Sequence, residues 1–121
     1  MQKVQLTPNP QIAVIFKGWS NDWAKETQEN QKDMANKFHT VYKIAADAFA
    51  NGGEVEITFL SALFNDCKQK AEMAEAMNEK VKASLQADDE RAQKIIAKVN
   101  TAAQDAAYVV KYLNTVLLQN A

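Results

Sequence analysis

One cysteine, one histidine and one arginine are all that this 121-residue chain holds of those three residue types. A lone cysteine closes no internal disulfide, so no covalent framework holds the fold. With so few histidines and cysteines, the usual ligand sets for zinc or iron cannot be assembled, and no metal or cofactor is expected. Three glycines and two prolines leave little material for catalytic loops. Gly52-Gly53 has no phosphate-cradling context and reads as a helix stop. Charge of one sign is missing too. Fourteen basic residues face fifteen acidic ones, for a net charge of −1. That balance lacks the basic field of a nucleic-acid binder, and Arg91 is the sole guanidinium for bidentate contacts. Nucleic acid is therefore not an expected partner. Long apolar runs are absent as well. Ile57–Phe64 and Ile12–Phe16 fall far short of the about 20 residues that span a bilayer, so peripheral membrane contact is the only kind left open. No secretory signal is read at the N-terminus; the cytoplasm is the expected compartment, with signal-independent export as the alternative.

What remains is helical periodicity. The expectation is an all-α protein with a single helical domain over residues 1–121: three long helices in an up-down-up bundle, plus a short N-terminal helix. The helices are placed at about 10–17, 21–50, 58–87 and 89–119. Residues 1–8 read as an irregular lead-in. Asn9 caps the first helix, Pro10 opens it, and Gly18 supplies the stop. Ser20 caps the second, whose apolar stripe is Met34, Phe38, Val41, Ala45 and Ala48. Glu54–Ile57 alternates charged and apolar residues, as a short extended connector would, and Thr58 is the next expected cap.

Beyond Thr58 one heptad register runs through the rest of the chain. Leu60, Cys67, Ala74, Val81, Ile95, Ala102, Val109 and Val116 share one position. Phe64, Ala71, Leu85, Ala92, Val99, Ala106 and Leu113 share its complement, with Asn78 and Asp88 as the polar intruders. The stretch reads either as a hairpin broken at Asp88 or as one continuous helix over 58–119 in an oligomer. Residues 44–64 and 99–121 are both poor in charge, which favours the hairpin because folding back brings them together.

The chemistry-bearing residues point away from catalysis. His39 has no carboxylate one helical turn away, and Cys67 falls on the apolar seam. Glu72, Glu75 and Glu79 alternate with lysines as a solvated ridge does. The chain is therefore expected to be a non-enzymatic protein–protein interaction module, such as a self-associating subunit, adaptor or chaperone. In architecture and composition alone it is similar to small helical subunits of bacterial secretion or phage assemblies. The expected contact residues are Phe59, Phe64, Tyr108, Tyr112, Leu117 and Leu118, from a C-terminal segment more widely apolar than a bundle helix needs. Trp19 and Trp23 follow. The alternatives are an amphipathic helical protein on a lipid or polymer surface, and a small inhibitor or immunity protein that blocks a partner enzyme.

Overall fold

The computed structural model describes residues 2–84 and 90–120. Its elements are β1 (Lys3–Gln5), α1 (Pro10–Ala24), a single 3-10 turn (Glu29–Gln31), α2 (Lys32–Asn51), β2 (Glu54–Glu56), α3 (Ile57–Ser84) and α4 (Glu90–Gln119). The fold class is all-α, with one two-stranded ribbon. The chain divides into two compact units, Met1–Glu56 and Ile57–Ala121.

In the first unit α1 starts where the sequence places it. The Asn9 side chain accepts from the Ile12 N–H at 3.1 Å, and Pro10 occupies the first helical position, where no N–H is needed. The expected stop at Gly18 does not occur. The helix runs through Gly18 and Ser20 to Ala24, because one more turn buries Trp19 against Tyr42 and brings Trp23 onto Phe38. A mid-helix glycine costs only about 1 kcal/mol, less than an aromatic side chain gains by burial. The break falls instead at residues 25–31, whose polar side chains offer no stripe to pack. Expected helices at 10–17 and 21–50 thus become helices of 15 and 20 residues. An alanine Cβ at Gly18 would meet nothing within 4 Å. Gly18→Ala is accordingly expected to raise stability by about 0.5–1 kcal/mol, read as a higher urea midpoint.

The stripe of α2 is rotated from the expected one. Ala35, Tyr42, Ala45, Ala46 and Phe49 are buried, whereas Met34 stands half exposed. Turning the helix this way brings two aromatic rings onto Phe16 in place of a thioether and a methyl group. Phe16 stacks on Phe49 at 5.8 Å and on Tyr42 at 5.9 Å, and meets Trp19 edge-on at 5.5 Å. This cluster is the core of the unit.

The lead-in is not irregular. β1 pairs antiparallel with β2 in the register Lys3–Glu56, Val4–Val55 and Gln5–Glu54, and Val4 and Leu6 are buried. The Leu6 N–H donates to the Gly53 carbonyl at 2.8 Å, and the Asn9 N–H donates to the Phe49 carbonyl at 2.8 Å. Both bonds need the chain to turn sharply after Asn51, and Gly52 does so with φ of 66°. The expected extended connector at 54–57 is thus β2. It passes directly into α3 at Ile57, so Thr58 lies inside the helix and is not its cap.

The second unit is a helical hairpin. Asn78 Nδ2 donates to Asn100 Oδ1 at 3.2 Å, a contact that a continuous helix over 58–119 would forbid, since 22 residues of helix span about 33 Å. Asp88 and Leu85, where the sequence placed a break and a seam residue, lie outside the described residues. In α3 the expected seam holds: Leu60 and Cys67 are buried, and Ala74 and Val81 are half-buried. In α4 the line Ala92, Val99, Ala106 and Leu113 holds, as does Val109, and only two expected positions leave the seam. Ile95 and Ala102 are exposed, while Ile96 and Ala103 turn inward. An α-helix drifts by about 20° per heptad against an exact seven-residue repeat, so one line of a long seam can leave the interface while the other stays in it.

Candidate functional site

The Ser20–His39 pair joins α1 to α2. His39 Nδ1 lies 2.8 Å from Ser20 Oγ and 3.0 Å from the Ser20 carbonyl. Ser20 Oγ in turn lies 2.8 Å from the His39 carbonyl, which has no proton to give. The hydroxyl therefore donates to that carbonyl, and Nδ1 must carry the hydrogen that reaches back to Ser20. A serine whose proton is already committed, beside an imidazole nitrogen that is itself a donor, has no general base. The pair clamps two helices. It also explains why Ser20, 3% exposed, is no cap: its hydroxyl is used across the interface. Beside the clamp runs a groove of about 600 Å³ between the helices, floored by Ala13 and Ala46 and flanked by Lys17, Lys43 and Asp47.

Cys67 is buried on α3, where the heptad places it. Burial first, and the nearby Asp66 carboxylate second, push its thiol up from 9.0 to about 12, against the opposing pull of Lys70. The thiol stays protonated and is no nucleophile at neutral pH. Because the folded value lies above the unfolded one, the stability it confers is complete below pH 9.0. It is lost as pH rises toward about 12, on the order of 4 kcal/mol at full ionisation. Urea titrations across that range are expected to show a steeper alkaline loss for the wild type than for Cys67→Ala. A chromogenic disulfide at neutral pH is expected to label the unfolded chain and spare the native one.

Among the described residues no cluster of histidine, cysteine and carboxylate side chains is spaced to hold a metal ion. Among the described residues no helix is long and apolar enough to cross a membrane. The carboxylates Glu72, Glu75 and Glu79 are all exposed, in keeping with a solvated ridge.

The expected contact residues separate into distinct settings. Trp19, at 8% exposure, is packed against Phe16 and Tyr42. Trp23 is half-buried and stacked on Phe38 at 5.3 Å. On the second unit Phe59, Phe64, Tyr112 and Leu117 are half-buried, Tyr108 is 37% exposed and Leu118 is 68% exposed. Phe64 alone of the set lines a second groove, about 390 Å³, between α3 and α4. Its floor is Phe64, Ala71, Ala107 and Val110, and its rim carries Lys68, Glu72, Glu75 and Lys111. Sequence reasoning missed the exposed apolar residues Val14, Met73 and Met77, at 68%, 73% and 53%. Of these, Met73 and Met77 carried a legible signal: they stand one turn apart, off the heptad seam of α3. No family model, curated protein or solved structure matches this chain.

Proposed function

We propose that the chain is a non-enzymatic helical interaction module that works by binding protein, either a second copy or another chain. The observation that carries this reading is the apolar surface of the second unit. Leu118 stands largely in solvent one helical turn beyond Asn114, which lines a groove with an apolar floor and a charged rim. Met73 and Met77, turned away from the groove residues Lys68, Ala71 and Glu75, expose apolar surface on another face of α3. Exposed apolar surface ringed by polar side chains is the usual signature of a docking face. The charge-poor end of α4, with only Asp105 and Lys111 after residue 98, supports it further. The same surface could instead meet lipid, but the balanced charges beside it lack the lysine-rich face of an interfacial helix.

Two measurements test the reading. In co-sedimentation with vesicles of mixed anionic and zwitterionic phospholipid, the protein is expected to stay in the supernatant with unchanged tryptophan emission. Capture by the vesicles with a shifted emission would overturn the reading. Leu118→Asp is expected to leave the helical circular dichroism intact while weakening association. Unaltered association would remove α4's C-terminal end from the interface.

A further inference from the structure

The groove on the second unit has the pattern of a surface made for its own copy. The Asn78–Asn100 contact fixes the hairpin's register. One heptad further toward the open end, Ala71 of α3 stands level with Ala107 of α4, and Lys68 stands level with Val110 and Lys111. The rim is thus polarised along its length. Lys68 and Lys111 lie at one end, Glu75 lies toward the other, and Glu72 falls between; all four side chains are exposed. Between the two ends the floor narrows to Ala71 and Ala107, the smallest side chains in it.

We infer that two copies of the chain associate antiparallel through this groove, the two hairpins forming a four-helix bundle. A two-fold axis crossing α3 between Ala71 and Glu72 brings Lys68 level with the second copy's Glu75. It brings Lys111 within reach of the second copy's Glu72 and Glu75, and symmetry repeats both pairings. An antiparallel pair therefore places base against acid throughout, whereas a parallel pair would set lysine against lysine and glutamate against glutamate. The alanines lie at the axis, where the helices must approach most closely, and Phe64 and Val110 of each copy gain cover on either side. Hairpin pairs of this kind use the same packing rules as any antiparallel bundle.

The inference rests on the interaction reading above and names the second copy as its partner. Sedimentation equilibrium of the full chain is expected to show reversible association to twice 13.5 kDa. The double variants Lys68→Glu with Lys111→Glu, and Glu72→Lys with Glu75→Lys, each set like charges across the axis. Each is expected to weaken self-association by about tenfold or more. Mixing the two is expected to restore a heterodimer, and circular dichroism checks that both remain helical. As a readout independent of charge, Ala107→Cys, at an exposed position close to the axis, is expected to cross-link two copies on oxidation. A chain that stays at 13.5 kDa at every concentration overturns the inference, as does a dimer indifferent to both charge reversals. Vesicle capture would overturn the broader reading, so the two failures are told apart.

Discussion

Phe16→Ala is expected to destabilise the Met1–Glu56 unit by about 3–5 kcal/mol, close to all that a unit of this size has. Phe16 is fully buried and touches three rings, Trp19, Tyr42 and Phe49. Removing it leaves a cavity lined by side chains that are rigid planes and fill space poorly by relaxing. Each lost aromatic pair adds about 0.5–1.5 kcal/mol beyond area alone. The readout is unusually clean. Both tryptophans of the chain, Trp19 and Trp23, lie in this unit, so tryptophan emission in a urea titration follows it alone. Far-ultraviolet circular dichroism follows the helices of both units. The emission midpoint of Phe16→Ala is expected at much lower urea than in the wild type, with a dichroism phase retained from the second unit. An unmoved emission midpoint would mean that the ring cluster does not hold the unit together.

Gly52→Ala is expected to cost on the order of 3 kcal/mol, through backbone strain and collision acting at once. With φ of 66° and ψ of 144°, Gly52 occupies a region that side-chain-bearing residues rarely enter. A Cβ there would lie 2.8 Å from Pro8 Cδ, 2.9 Å from Pro8 Cγ and 3.1 Å from the Leu6 carbonyl oxygen. The pyrrolidine ring cannot swing aside as a long side chain would, so β1 itself must move. That movement pulls on the Leu6–Gly53 bond and on the Val4–Val55 pairing. Amide exchange at Leu6 is expected to lose its protection in Gly52→Ala. Gly53→Ala, whose Cβ would meet nothing within 4 Å, is the matched control and is expected to change stability far less. Equal losses at the two glycines would show that the turn tolerates any residue.

Much of this architecture can be read without coordinates. The all-α class, the Asn9–Pro10 start of α1 and the glycine stop after Asn51 rest on local chemistry (caps, a φ that glycine supplies, and apolar spacing), whereas the hairpin beyond Thr58 is favoured only by the pairing of two charge-poor segments. The burial of Cys67 follows in the same way from its heptad position. Errors arose where two local solutions were nearly equal. Ser20 is as good a cap as it is a helix–helix donor, and only the presence of the His39 carbonyl at 2.8 Å selects the second role. The α2 stripe could be drawn through Met34 and Ala48 or through Tyr42 and Phe49, and the area available against Phe16 chooses.

The candidate surface was half legible. Leu118 and Tyr108 were named from the excess apolar character of the last helix, and both are exposed. Whether Trp19 serves the core or a partner depends on which helix face it joins. That in turn depends on where α1 ends. The polarised rim around Ala71 and Ala107 had no signal of its own, because Lys68 and Lys111 are 43 positions apart and meet at one level only after the chain folds back.

By itself the sequence determined helix content, the absence of a disulfide framework, the glycine stop after Asn51 and the coiled-coil-like spacing of α3. These are properties of near neighbours along the chain, where one or two residues outweigh the alternatives. Tertiary structure alone decided the β1–β2 pairing, the run of α1 past Gly18, the rotation of α2 and the turn of Ile96 and Ala103 inward in place of Ile95 and Ala102. Each of these sets a local preference of about 1 kcal/mol against burial of whole side chains contributed by distant residues, and burial is the larger quantity.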